Sequence, residues 1–348
     1  MNIAIRVNAS NVEGSGHFYR TLHLARTLRS NRNFIFFLCD PLQNNYIKIL
    51  KKENFQYYIL KKKKINKRYS EYDINETRSI LKKSNKIFDL LIVDSYLLGI
   101  NWELKIKEVV KKLLVIDDKI RSHICDIYLN QNVIKKKIVN TILSKKCFKL
   151  IGPKYSIINP DLKKDKKNSL RKKIKSVLIF MGGADTKKLT LKLIKIFKLK
   201  EFSYLNLNIV VGLNNKLKKR IFESARLRSN TKVYYNLPNL EKLIKSSDVA
   251  ISGGGTVVWE FIYLGLPSLI ICQNILQFNN LAKFTKYNTF KLLDFSIYKK
   301  SKMIKFLKTN LLNNNFFIQK RIKIFFDGHG VYRIKKVIEN IIFDKHND

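Results

Sequence analysis

The chain has 348 residues, 45% hydrophobic and 11% aromatic, which is enough for two well-formed cores and excludes a disordered chain. Its 69 Lys+Arg against 26 Asp+Glu leave a formal charge of +43, which attracts polyanions and makes a nucleic-acid binder one reading. The basic residues are spread along the whole chain among abundant Asn, Ile, Phe and Tyr, the pattern of an A/T-rich genome, and no base-stacking module accompanies them.

In chain order, "IAIRV" (3–7) reads as a buried strand. The glycine turn Gly14-x-Gly16 follows, then His17, then Phe18, Leu22, Ala25 and Leu28 at helical spacing. Strands are expected at 34–39, 55–60, 88–94 and 113–118, with helices near 43–53, 74–84 and 101–112 between them. The lysine-rich stretch 61–68 reads as a solvated loop. The charged segment "DLKKDKKNSLRKKIK" lacks apolar periodicity and reads as a linker over 161–175. Beyond it the alternation restarts, with strands at 176–180, 207–212, 232–237, 248–252 and 268–272 and helices at 189–198, 214–226, 239–246 and 256–264. Apolar strands alternating with amphipathic helices imply parallel sheets covered on both faces. The expected fold is therefore α/β and GT-B-like: two Rossmann-like domains facing a cleft, 1–160 and 176–348, with the last helix free to pack back on the first. Ligands of such sheets bind outside the carboxyl ends of the strands.

Four cysteines, Cys39, Cys125, Cys147 and Cys272, form no C-x-x-C, so a zinc framework is not expected and reduced, packed thiols are. No apolar run reaches the roughly 18 residues of a spanning helix, and no signal peptide is read before the first strand. A cytoplasmic protein without membrane insertion is expected.

Three glycine clusters fall at strand-to-helix junctions: "EGSGH" (13–17), "MGGAD" (181–185) and "SGGGT" (252–256). Glycine lets backbone N–H groups approach an anion, and a helix N-terminus adds free donors and a positive dipole end. Each cluster alone reads equally as an ordinary turn. Neither a P-loop nor a dinucleotide fingerprint is present. The candidates they supply are Gly14, Gly16, Gly183, Ala184, Gly254, Gly255 and Thr256. One turn beyond Thr256, Glu260 can accept hydrogen bonds from both hydroxyls of a ribose; its alternative is a solvated helix charge. Asp94 and Tyr96, in "VDSY", end a strand and face the expected cleft. His17 reads either as a base placed at a helix start, where the dipole disfavours the imidazolium, or as a capping histidine. His23, His123 and His329 read as structural.

The ordered set "RVNASNVEGSGHFYRTLHLARTL" (6–28), "VDSYLLGINWE" (93–103), "VIDDKIRSHICDIYLNQN" (115–132), "IGPKYSIINPDL" (151–162), "MGGADTKKLTLKLI" (181–194), "SGGGTVVWEFIYLGLP" (252–267) and "DGHGVYRI" (327–334) resembles the PseG family of UDP-sugar hydrolases, which are MurG-like in fold. The resemblance implies hydrolysis of UDP-2,4-diacetamido-2,4,6-trideoxy-β-L-altropyranose to UDP and the free sugar, in pseudaminic acid biosynthesis, with inversion at C1. It implies His17 as the base that activates water, a UDP site at Gly254, Gly255, Thr256 and Glu260, and no metal or other cofactor. Departures from the family pattern stand at Asn8, where Asp is usual, at Asn159, and in "NILQ" (274–277), where Gln277 keeps its part of a polar pair and Asn274 departs. The alternatives are a GT-B glycosyltransferase using the same UDP-sugar with an alcohol acceptor, and the basic nucleic-acid binder.

Overall fold

The computed structural model describes residues 1–8, 16–41, 44–61, 69–163, 173–293, 299–312 and 326–343. The chain divides into two compact units: residues 1–160 with 328–348, and residues 161–327. Gly14 and most of the expected linker lie outside the described residues.

Unit one runs β1 (Asn2–Val7), α1 (Gly16–Leu28), β2 (Phe34–Cys39), α2 (Asn44–Lys52), β3 (Gln56–Ile59), α3 (Tyr69–Lys83), β4 (Leu90–Asp94), α4 (Ile100–Lys107), β5 (Lys112–Ile116), β6 (Ile127–Asn130), α5 (Lys136–Ile142) and β7 (Phe148–Ile151). All strands are parallel, in the order β3-β2-β1-β4-β5-β6-β7. The strand order reverses between β1 and β4, whose last residues, Val7 and Asp94, are register partners. Helices α3, α4 and α5 cover one face, where Trp102, Ile106, Tyr69 and Val139 pack on Ala4, Leu91, Val93 and Val115. Arg6 is the one charged residue in β1. It is fully buried and offset by Asp73 and Asp40, each 2.6 Å away.

Unit two runs β8 (Ser176–Phe180), α6 (Leu189–Phe197), β9 (Asn206–Val211), α7 (Lys218–Arg226), β10 (Thr231–Tyr235), α8 (Glu241–Ser246), β11 (Val249–Ser252), α9 (Val257–Leu264), β12 (Ser268–Ile271), α10 (Ile275–Ala282), β13 (Phe290–Leu293) and α11 (Lys300–Leu311). Its six parallel strands are ordered β10-β9-β8-β11-β12-β13, reversing between β8 and β11. Here too the terminal residues of the central pair, Phe180 and Ser252, are register partners.

The final helix, α12 (Gly330–Phe343), packs on α1 and on the turn Pro153–Tyr155, so it belongs to unit one rather than to the 176–348 block. A side chain at Gly330 would meet the Ser156 carbonyl oxygen at 2.1 Å, and Arg333 donates to the Lys154 carbonyl at 3.0 Å. Strands β6, β7 and β13 were not anticipated from sequence. They lie on the outer side of their sheets, where the parallel ladder extends outward from the expected strands. Helix α7 starts later than expected because Asn215 holds a turn, its Oδ1 accepting the Leu217 N–H at 2.9 Å.

Candidate active site

At the reversal point of unit one, β4 ends in Asp94 and α1 begins at Gly16. His17 enters on the second residue of α1 and Arg20 one turn later, so both reach the same strand end. His17 Nδ1 lies 2.5 Å from Asp94 Oδ1. Arg20 grips the carboxylate with two nitrogens, Nη2 to Oδ1 at 2.6 Å and Nε to Oδ2 at 2.5 Å. Asp94 is completely buried and His17 only 5% exposed. Burial alone would raise the Asp94 carboxyl; Arg20 and His17 outweigh it and hold the group below the usual carboxylate range. An ionised Asp94 accepts from Nδ1–H, which fixes the tautomer and leaves Nε2 as the basic nitrogen of His17.

The network continues outward. Arg20 Nη1 donates to Asp118 Oδ2 at 2.5 Å, and the Tyr96 hydroxyl donates to the same oxygen at 2.8 Å. Burial and Asp118 push the Tyr96 phenol well up, so it stays a donor. Its ring stands edge-on to His17, with centroids 4.5 Å apart. Tyr96 therefore walls the imidazole and holds Asp118. Arg20 and Asp118 escaped the sequence reading; the signal was Arg20 three residues after His17, on the same helix face.

His23 and His123 are packed into unit one. His23 is buried and lowered to about 3, by burial first and by Arg26 second. His123 is buried between Glu103, 2.6 Å from Nδ1, and Asp117, 3.2 Å from Nε2. Among the described residues no group of three or more His, Cys, Asp or Glu side chains could hold a metal ion. All four cysteines are buried and none is in a disulfide, and no described helix is long and apolar enough to cross a membrane.

Unit two builds its reversal point from backbone. After β8, Gly182 takes a φ of +80°, and Asp185 caps α6 by accepting from the Leu189 and Thr190 N–H groups at 2.7 and 2.9 Å. Gly183 and Ala184 lie in this turn, half-buried, with the Gly183 carbonyl accepting from the Asn214 N–H at 2.9 Å. After β11, a side chain at Gly254 would meet Gln277 Cβ at 2.9 Å and Cys272 Sγ at 3.0 Å, so packing demands glycine there. Gly255 faces open space. Thr256 starts α9 without a side-chain cap, and the N–H groups of Gly254, Gly255 and Thr256 donate to no acceptor among the described residues. Unpaired N–H groups at a helix start are the kind of donors that suit an anion.

One turn on, Glu260 is half-buried, and burial alone acts on its carboxyl, raising it to about 7. Gln277 is committed to scaffolding. Its Oε1 accepts from the Gln273 N–H at 2.8 Å, and its own N–H donates to Asn274, which caps α10, at 2.9 Å. Gln273, which sequence reasoning missed, ties the clusters together: its Nε2 donates to the Met181 carbonyl at 2.7 Å, and its Oε1 accepts from Thr186 at 3.2 Å.

Two parallel-sheet α/β units of this kind make a GT-B-like fold. Residues 176–338 match the glycosyltransferase family 28 C-terminal domain. An uncharacterized protein of Methanocaldococcus jannaschii is 31% identical over 80% of the chain, and the chain spans 57% of that relative's length. The UDP-2,4-diacetamido-2,4,6-trideoxy-beta-L-altropyranose hydrolase of Campylobacter jejuni is 28% identical over 78% of the chain and 92% of its own length. Among solved structures, MurG of Acinetobacter baumannii superposes with a TM-score of 0.60 at 12% identity, covering 97% of this chain and 99% of its own.

Proposed function

We propose that the protein is a UDP-sugar hydrolase that cleaves UDP-2,4-diacetamido-2,4,6-trideoxy-β-L-altropyranose to UDP and the free sugar, with inversion at C1. The observation that carries this reading is the His17–Asp94 pair, Nδ1 2.5 Å from Oδ1 at the strand end; an Nδ1 proton given to Asp94 would leave Nε2 as the basic nitrogen. The similarity to the Campylobacter hydrolase supports the substrate.

In this reading unit two holds the nucleotide and unit one carries the base. The N–H groups of Gly254, Gly255 and Thr256 hold the diphosphate, and Glu260 accepts from the ribose hydroxyls. Gly183 and Ala184 bring backbone up to the same ligand, and Gln277 keeps the third cluster in shape. Gly16 opens α1 and so sets His17 to meet the sugar, and Gly14, which lies outside the described residues, is assigned to the same site from its place in the sequence. His17 Nε2 takes a proton from water as the water oxygen bonds to C1. The C1–O bond breaks and its electron pair stays on the UDP phosphate, where the backbone donors meet the growing charge. Diphosphate leaves without a proton, so no acid is needed on that side, unlike the two-carboxylate glycosidases. Two carboxylates, Asp94 and Asp118, surround the single guanidinium of Arg20, so one negative charge is left to stabilise His17 once it is protonated. No step requires a metal or an organic cofactor.

A second reading is favoured by the match of residues 176–338 to a glycosyltransferase domain: the same donor with an alcohol in place of water. One assay separates them. UDP release from the diacetamido substrate is followed with and without chelator, for wild type and His17→Ala. Release by the wild type in water alone, lost in a folded variant, supports the hydrolase. UDP binding without release, restored by an added alcohol acceptor, overturns it in favour of the transferase. Tight, salt-sensitive DNA or RNA binding that survives His17→Ala, without UDP binding, would sink both.

A further inference from the structure

Helix α4 buries a carboxylate, Glu103, beside the core residues Trp102 and Ile106. A buried charge is retained only when it is paired. The partner of Glu103 is His123, whose Nδ1 lies 2.6 Å from Glu103 Oε1. The other ring nitrogen meets a second carboxylate: Nε2 is 3.2 Å from Asp117 Oδ2, in ion-pair contact without an aligned hydrogen bond. The His123 and Asp117 side chains are completely buried. A neutral imidazole has one N–H and one lone pair, so it suits only one of two carboxylates, whereas the imidazolium suits both. The charges agree. Glu103 and Asp117 are offset by the imidazolium and by Arg121, whose Nε donates to Asp117 Oδ2. A neutral ring would leave one buried negative charge uncompensated. Burial pulls the His123 ring down from its ordinary value, and Asp117 and Glu103 outweigh burial and raise it. Two further titratable groups stand nearby and stay protonated. The Tyr128 ring lies 5.2 Å from that of His123, its phenol pushed up by burial, and the Cys125 thiol is pushed up by its contact with Cys147.

We propose that His123, as an imidazolium held between Glu103 and Asp117, is a positioning residue for the His17 site. Its effect on turnover rests on the hydrolase reading; the charge on its ring does not. Two connections carry the effect to the strand ends. Asp117 directly follows β5, and its Oδ1 accepts from the Lys119 N–H at 2.8 Å, which sets the turn that presents Asp118. Asp118 in turn accepts from Arg20 and Tyr96. The second connection runs through Arg121, whose Nη2 donates at 3.0 Å to the carbonyl of Ser95, the residue between Asp94 and Tyr96. Asp117 therefore braces the ends of both β4 and β5. Loss of the His123 proton sets a lone pair against one carboxylate. Asp117 has the longer contact, 3.2 against 2.6 Å, so it gives way first, and the turns at Asp118 and Ser95 move with it. The stabilisation is complete below the ordinary value of 6.5 and is lost as pH rises through the raised value of the folded protein. A general base supplies only the acid limb of a pH profile; His123 supplies an alkaline one.

The test compares the full chain as wild type, Glu103→Gln, His123→Gln and the double variant. Histidine side-chain NMR shifts are titrated from about pH 6 to 10, with the His123 signal assigned by its loss in His123→Gln. Melting midpoints, UDP-binding calorimetry and kcat for UDP release from the diacetamido substrate are measured over the same range. In the wild type the His123 ring should titrate above 6.5, and kcat and melting midpoint should decline together as it does. In Glu103→Gln the amide can donate to Nδ1 and still accept from the Ile124 N–H, which Glu103 binds at 2.6 Å. A neutral ring is then fully partnered, so the alkaline decline should disappear. His123→Gln leaves the two carboxylates one charge short at every pH. Its kcat at pH 7 should fall about ten- to a hundredfold with UDP affinity unchanged, and the double variant should recover most of the loss. A wild-type His123 ring that titrates at or below 6.5 overturns the proposal whatever turnover does. So does an alkaline decline that survives in Glu103→Gln, or an unchanged kcat in a folded His123→Gln. If His123→Gln does not fold, the alkaline limb of Glu103→Gln decides alone. If the wild type releases no UDP, the hydrolase reading falls and the positioning role with it, while the titration still decides the charge on the ring.

Discussion

The two units reverse their strand order in the same way, yet they finish the two strand ends with opposite materials. In unit one the point between β1 and β4 is built from charged side chains: His17, Asp94, Arg20, Asp118 and Tyr96 bond mainly to one another. In unit two the point between β8 and β11 is built from glycine and free N–H groups, and its carboxylate, Glu260, has burial alone acting on it. The difference teaches what each can do. A saturated ion network fixes one imidazole in one tautomer and has little capacity left for a ligand. A bare helix start is poor at proton transfer and well suited to an anion that arrives with its own charge.

The sharpest way to break the comparison is at Asp94. Asp94→Asn leaves Arg20 buried with half its partner and no longer holds His17 in the reactive tautomer. Turnover should fall about a thousandfold or more, and the unfolding free energy by about 3–5 kcal/mol, measured by steady-state UDP release and urea denaturation. His17→Ala should cost about 10²–10⁴ in turnover with a smaller stability loss, so the two variants separate chemistry from scaffolding. On the other side, Gly254→Val drives a side chain into Gln277, Cys272 and Leu281. It should destabilise unit two by about 1–3 kcal/mol and abolish UDP binding in calorimetry, while leaving the His17 network intact.

Glu260 gives a test with a sign. Its carboxyl is raised from 4.5 to about 7 by burial. The stability this contributes is present below the unfolded value and is lost as pH rises from there through about 7. Glu260→Gln should therefore flatten that loss of melting temperature between pH 5 and 8. If the ionised form receives the ribose hydroxyls, wild-type UDP affinity should rise across the same interval about three- to tenfold, and the glutamine variant should show no such rise. The smallest effect is expected at Gln277→Ala, which removes one scaffolding hydrogen bond and should cost about 1 kcal/mol, with UDP affinity weakened and turnover per bound substrate unchanged.

Much of the architecture was legible in the sequence because it is local. Apolar runs such as "IAIRV" and "FDLLIVD" commit to buried strands whatever surrounds them, and the glycine clusters mark the strand-to-helix turns by the absence of side chains. His17 stood out for the same reason, an ionisable ring directly after a glycine turn. The outer strands β6, β7 and β13 were not legible, because they complete their sheets by pairing with a neighbouring strand's open edge.

The two α/β repeats and their glycine junctions follow from residue type and spacing within a turn or a strand. Which side chains act on one another follows from the fold. Asp94 is 77 positions from His17 and Asp118 is 98 from Arg20, and the parallel pairing of β1 with β4 and of β4 with β5 brings each pair to 2.5 Å. The same folding that saturated Asp94 left the Asn8 and Glu260 side chains without partners among the described residues. Pairing and its failure are properties of neighbours in space, and the order of residues along the chain does not contain them.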